Sequence, residues 1–289
     1  MKNQIVCLTF DFDALSLWLA RGMSTPTPLS RGEFCAVGAK RILELLQRHK
    51  IRSTWFIPGH TIESYPAISE QIVAGGHEIG HHGWTHVSPA NLSLEEEESG
   101  LVKANQAIKR LSGRFARGYR SPAWDLSANS VDLLLKHGFK YDSSMMGHDY
   151  LPYFVRRGDI VAIDTPLIPG KATSLIEMPV SWSLDDFPHF EFLRSKDSLL
   201  QGLKAGSAVL ENWVEDFLYL KESLDWGIIT YTFHPFVIGR GHRMRILERL
   251  ICRIRDEGGE FWTMEDAAEA ARARQTSAGL CSPAVSETQ

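Results

Sequence analysis

Ile5-Val6-Cys7-Leu8-Thr9-Phe10-Asp11-Phe12-Asp13 is the first hydrophobic run of the chain, and it ends on two carboxylates. Almost every residue before Asp11 is apolar, as expected for a strand buried on both faces of a parallel sheet. Side chains two apart on a strand share a face. Asp11 and Asp13 are therefore expected side by side at a strand's C-terminal end. Like charges that close are unfavourable unless a cation or a shared proton separates them. A core strand gains nothing from such a pair, whereas a metal-dependent hydrolase does.

Strand-like and helical runs alternate along most of the 289 residues. Strands are expected at Ile5–Phe10, Ser53–Ile57, Glu78–Gly80, Gly118–Arg120, Leu175–Met178 and Gly227–Phe233. Ser93-Leu94-Glu95-Glu96 is a capping box that opens a helix to about Leu111. Ser127 is expected to cap a helix that stops at Gly138, and Thr263 a helix through Ala267–Ala273. Further helices are expected at Ala36–His49, Gly206–Glu222 and Arg243–Glu257. This alternation predicts an α/β fold with a parallel barrel or doubly wound sheet. No internal repeat or linker divides the chain, so residues 1–274 read as one domain. The small, polar stretch 275–289 reads as a flexible tail. Ser144–Lys171 carries few periodic signals and reads as a long functional loop.

Bulk properties narrow the function. Hydrophobic residues make up 44% and charged residues 23%, which fits a globular protein with a large core. A net charge of −4 and the lack of a basic cluster argue against a nucleic-acid partner. No apolar stretch approaches the roughly 20 residues that span a bilayer, so no membrane role is expected. The N-terminus shows no signal-peptide pattern, and the expected location is the cytoplasm. Cys7, Cys35, Cys252 and Cys281 are scattered and read as reduced thiols.

The second chemical element is His82-Gly83-Trp84-Thr85-His86. Two histidines four apart meet on one face if the segment turns helically. Alone, this pattern reads as polar surface. Beside an aspartate pair it reads as a metal site, because two imidazoles and one carboxylate with open positions make a catalytic centre. With no cysteine nearby, Zn²⁺ is expected first, with Co²⁺ or Mn²⁺ as alternatives. The third element is Gly118-Tyr119-Arg120-Ser121-Pro122-Ala123-Trp124, whose arginine can orient a carboxylate and lower its pKa. The fourth is Thr232-Phe233-His234-Pro235, where His234 can supply the proton that a leaving nitrogen requires. His77 and His81 read as packing or supporting residues. His60 and Glu177 are open between structural and pocket roles. Trp18, Trp55, Trp84, Trp124 and Trp182 are candidates for an apolar pocket wall.

These motifs together resemble the polysaccharide deacetylases with NodB homology, the fourth carbohydrate esterase family. All five motif regions of that family are represented between Thr9 and Pro235. Within it, the chain is similar to the branch of a Helicobacter-type peptidoglycan deacetylase and bacterial cyclic imide hydrolases. Ser30-Arg31-Gly32, Thr54-Trp55-Phe56-Ile57-Pro58-Gly59-His60, Lys136-His137-Gly138-Phe139-Lys140-Tyr141-Asp142 and Trp182-Ser183-Leu184-Asp185-Asp186 add to the likeness.

The resemblance implies a distorted (β/α)₇ barrel with its site at the C-terminal strand ends. It implies one divalent metal held by Asp13, His82 and His86. It assigns Asp11 as general base, His234 as general acid, Arg120 as the residue orienting Asp11, and the Ala123 N–H as an oxyanion donor. It also implies a homotetramer. Two departures stand out. The family motif ends T-F-D-D-G with adjacent aspartates, whereas Phe12 separates them here and Ala14 stands in the glycine's place. The aspartate that tunes the catalytic histidine is not clearly matched; Asp142 and Asp185 are candidates, and Asp185 is preferred.

Three functions follow. The first is metal-dependent hydrolysis of a small cyclic imide, suggested by the expected location and by the aromatic residues near the site. The second is N-deacetylation of peptidoglycan or chitin-type N-acetylglucosamine oligosaccharides. The third is a metal- or sugar-binding homologue without catalysis, against which the intact Asp11 and His234 argue.

Overall fold

The computed structural model describes residues 3–194 and 199–277. In chain order, β1 (Asn3–Asp11) leads into α1 (Leu15–Ala20) and α2 (Pro26–His49). Next come β2 (Thr54–Ile57), α3 (Gly59–Ser64), α4 (Pro66–Ala74), β3 (Glu78–His81) and α5 (Leu94–Ser112). The middle contains β4 (Gly118–Tyr119), α6 (Ser130–Lys136), β5 (Tyr141–Asp142), β6 (Tyr153–Arg157), β7 (Ile160–Ala162), β8 (Thr165–Ile168) and β9 (Lys171–Glu177). Then follow α7 (Asp186–Phe190), β10 (Phe192–Arg194), β11 (Leu199–Gln201), α8 (Gly206–Ser223) and β12 (Trp226–Phe233). The described chain ends with α9 (Pro235–Ile238), α10 (Gly241–Asp256), β13 (Glu260–Trp262) and α11 (Met264–Ser277).

The main sheet runs β12-β1-β2-β3-β4-β5-β9-β6. All pairs from β12 to β9 are parallel, and β6 lies antiparallel on β9. The seven parallel strands along this path curl into the expected distorted (β/α)₇ half-barrel, and β13 pairs parallel with β1 off the path. Asp185 makes a parallel bridge to Thr232 of β12 and so begins to close the gap after β9. Apolar side chains of β1 point both ways: Val6, Leu8 and Phe10 join the large core, while Ile5 and Cys7 pack with α11.

Local signals held where capping chemistry is self-contained. The Ser93/Glu96 capping box forms in both directions, at 3.2 and 2.9 Å. Three expectations need correction. α2 begins at Pro26 rather than near Ala36, because proline in a helix's first turn loses no intrahelical bond. Ser127 caps no helix directly: α6 begins at Ser130, and the Ser127 hydroxyl donates to Glu97 at 2.5 Å. Ser144–Lys171 is not one long loop, because β6, β7 and β8 occupy much of it. The expected tail from 275 begins inside α11, which continues to Ser277; its remainder and Cys281 lie outside the described residues. Cys7, Cys35 and Cys252 are free thiols. Among the described residues, no helix is long and apolar enough to cross a membrane.

Candidate active site

Asp11 is the last residue of β1 and is 1% exposed. Its neighbour Arg120 is fully buried just after β4. Arg120 Nη1 donates to Asp11 Oδ1 and to Thr9 Oγ1, both at 2.8 Å. Its other nitrogens donate to the Ser143 carbonyl at 3.2 Å and the Ser143 hydroxyl at 3.0 Å. The guanidinium also lies 4.3 Å from the Phe56 ring centre. These contacts hold Arg120 rigidly, and it fixes one edge of the Asp11 carboxylate.

Phe12 does not disturb this geometry. Its N–H donates to the Phe56 carbonyl at 2.9 Å, which continues the ladder beyond β1. Its ring packs on Trp55 and Tyr65 on the core side. Asp11 and Asp13 consequently both reach the site. The chain then turns sharply at Ala14, whose φ of 48° is a conformation that favours glycine. Alanine holds this turn at some strain.

Asp13, His82 and His86 come together with ligand atoms all within 4.8 Å of one another. They do so without the expected helical turn: His82 follows β3, and Gly83, at φ +73°, redirects the chain so that His86 returns. The His82 Nδ1–H donates to the Arg120 carbonyl at 2.7 Å. That bond leaves Nε2 as the lone-pair nitrogen, 3.4 Å from Asp13 Oδ1. Both Asp13 oxygens and His82 Nε2 are buried without a hydrogen-bond partner. Orphaned buried acceptors are unfavourable, and a divalent cation among them would satisfy all three. Burial would raise the Asp13 pKa, but His86 and His82 outweigh it and bring it to about 2. Burial lowers His86 to about 4, so it is a neutral imidazole at pH 7. The residues therefore fit a metal ion.

His234 follows β12 and sits beside Asp11, because Phe233 pairs in register with Phe10. Its Nε2 lies 3.9 Å from Asp13 Oδ2. Its Nδ1–H donates to Asp186 Oδ1 at 2.8 Å, and its backbone N–H faces both Asp186 oxygens at 3.1 Å. This corrects the preference for Asp185: the carboxylate bonded to His234 is Asp186. Asp185 Oδ1 is 3.6 Å from Nδ1 and instead accepts from the Phe187 N–H as the cap of α7. Asp142, the other candidate, lies on β5 and accepts from the Ser144 hydroxyl. Burial would strip the proton from His234, but Asp185 and Asp186 push its pKa well above the ordinary value.

A cavity of about 100 Å³ opens onto Asp11, Asp13, His86, Asp185 and His234. Its wall includes Leu17, Ala123, Phe187 and the stacked pair Trp124 and Trp182, whose ring centres are 4.1 Å apart. Ala123 and Trp124 have φ values of 58° and 54°, two consecutive strained residues at the mouth. Of the other tryptophans, Trp18 and Trp55 are core residues, and Trp84 packs under Lys103 away from this cavity. His81 is buried packing, with Nε2–H donating to the Leu101 carbonyl, and His77 bonds Ser53. Glu177 is buried and accepts from the Ser144 and Met145 N–H groups. His60 lies beside Trp84 and does not line the cavity.

A statistical model of the family described as polysaccharide deacetylase matches residues 2–141. A peptidoglycan deacetylase from Helicobacter pylori is 36% identical, over 90% of this chain and 93% of its own length. The chain belongs to the polysaccharide deacetylase family. A polysaccharide deacetylase structure from Mycobacterium smegmatis superposes with a TM-score of 0.82 at 29% identity, covering 95% of this chain and 92% of the other. An allantoinase structure shares the fold at a TM-score of 0.75 and 20% identity, covering 93% and 90%.

In this member of the family, sequence reasoning passed over Leu17, Arg21 and Phe187 at the cavity, and Asp186 behind His234. The adjacent Asp185-Asp186 pair was a visible signal. Nothing local says which of two neighbouring aspartates a turn will aim at a histidine 48 positions away.

Proposed function

We propose that this chain is a divalent-metal hydrolase that removes the acetyl group from an amino sugar of a peptidoglycan-type polymer. One observation carries this reading: an Arg-braced carboxylate, a three-ligand metal set and a carboxylate-paired histidine face one cavity. When bound by Asp13, His82 and His86, the ion, Zn²⁺ before Co²⁺ or Mn²⁺, would acidify water and polarise the acetyl carbonyl. Asp11, fixed by Arg120, accepts the proton of the attacking water as oxygen bonds to the carbonyl carbon. The Ala123 N–H is assigned to the developing oxyanion. His234 then donates its proton to the leaving nitrogen, the C–N bond breaks, and acetate and free amine depart. Asp186 keeps His234 oriented and protonated.

The likeness to the Helicobacter peptidoglycan deacetylase, at 36% identity, supports deacetylation ahead of ring opening. This reverses the order reached from sequence, where the cyclic imide came first. A cavity of about 100 Å³ also suits an acetamido group whose sugar remains outside. The same small size, with the Trp124–Trp182 stack as a flat apolar wall, favours a small cyclic imide as the second reading. Zinc-loaded protein should release acetate from N-acetylglucosamine oligomers or peptidoglycan fragments and leave succinimide-type rings intact. Ring opening without acetate release would put the second reading in its place.

A further inference from the structure

The cavity mouth carries a cation that forms no ion pair among the described residues. Leu17 and Arg21, four residues apart, both line the cavity. Arg21 closes α1, its N–H donating to the Trp18 carbonyl at 3.2 Å. Its guanidinium lies 5.8 Å from the Phe187 ring centre, and that ring is 5.5 Å from the His234 ring. Neighbouring arginines are taken: Arg31 pairs with Glu191 and Arg120 with Asp11. Among the described residues, Arg21 forms no ion pair and no side-chain hydrogen bond. Asp13 attracts it through space, but that carboxylate is committed to the metal set.

We propose that Arg21 is a specificity residue that binds a carboxylate carried by the substrate near its scissile amide. The proposal rests on the deacetylase reading of this cavity and narrows its substrate class. A planar guanidinium is a two-pronged donor that matches a carboxylate. Phe187 is a shelf beneath it, so little freedom is lost on binding. A peptidoglycan strand bears carboxylates on its lactyl ethers and on its peptides, whereas a neutral N-acetylglucosamine oligomer bears none. Arg21 therefore selects the acidic polymer over the neutral one.

Metal-loaded wild type, Arg21→Gln and Arg21→Lys are assayed for acetate release on three oligomers: neutral, lactyl-bearing without peptide, and peptide-bearing. Wild type should prefer a carboxylated oligomer, and the preference should weaken with added salt. Arg21→Gln should lose roughly 10- to 100-fold in kcat/KM on that substrate, mostly through KM, and much less on the neutral one. Arg21→Lys should recover part of the loss. The oligomer that responds identifies the source of the carboxylate. Equal losses on all three, or no loss on any, overturns the proposal. If wild type releases acetate from none, the deacetylase reading falls and Arg21 is judged by calorimetry on succinimides with and without a carboxylate substituent. Tighter binding of the carboxylated ring, abolished in Arg21→Gln, keeps the proposal; equal binding ends it.

Discussion

At the residue scale, two adjacent carboxylates decide whether His234 carries its proton. Burial opposes the imidazolium, while Asp185 and Asp186 restore it and raise its pKa well above the ordinary value. A general acid must be protonated at working pH, so activity should fall as pH rises through that pKa. Asp186→Asn removes a charge 2.8 Å from Nδ1. The alkaline limb of kcat/KM should move to lower pH, and kcat should fall roughly 10- to 100-fold, as for other residues that support a reacting histidine. Asp185→Asn keeps an amide oxygen able to cap α7, so stability should stay near wild type, with a smaller shift of that limb. A full shift in Asp185→Asn beside a silent Asp186→Asn would return the role to Asp185. Asp11, Asp13, His82 and His234 were legible because each lies at or just after the end of a strand readable in the sequence, whereas His86 reaches the site through the turn at Gly83. Asp186 was not, because the short turn Trp182–Leu184 decides which of two adjacent aspartates points inward.

At the element scale, the site depends on how closely α2 crosses α9. A Cβ built on Gly38 would lie 1.9 Å from the Pro235 carbonyl oxygen. Pro235 directly follows His234, so a displaced α9 moves the acid. Gly38→Ala should destabilise by roughly 1–3 kcal/mol, the usual range for overpacking, and lower kcat. Metal content should stay at the wild-type level, since Asp13, His82 and His86 lie on other segments. Unchanged Tm and kcat would show that the two backbones separate freely. The α5 capping box was legible because all its partners lie within four residues. The early part of α2 was missed because proline and glycine are intrinsically poor helix residues, although Pro28 and Gly32 sit buried in its first turns. β6 was missed because its partner β9 supplies the pairing from a distance.

At the scale of the whole molecule, stability should depend on pH and on metal through buried charge. Asp142 and Glu177 are opposite each other on β5 and β9, and both are fully buried. Burial raises Asp142 to about 6 and, with the Asp142 charge, raises Glu177 well above the usual carboxylate range. Both pKa values are higher folded than unfolded, so their stabilising contribution is full in acid and is lost as pH rises through about 6 and beyond. Glu177→Gln mimics the protonated acid. With metal saturating, its Tm should fall less than that of wild type between pH 5 and pH 8; parallel curves would refute the coupling. Zinc at a hundredfold excess over its Kd should raise Tm by roughly 5–10 °C over chelated protein, because binding stabilises only the folded chain. No rise, or the same rise in Asp13→Ala, would dismiss the ligand set. The sequence by itself determined the βα alternation, the capping box and the spacing of the chemical motifs, since each follows from local periodicity or contacts a few residues long. Only the tertiary structure decided that Phe12 keeps both aspartates on the site, that Asp186 holds His234, and that Arg21 comes to the cavity mouth. Those facts depend on strand register and on loops meeting from opposite ends of the chain, which no local pattern encodes.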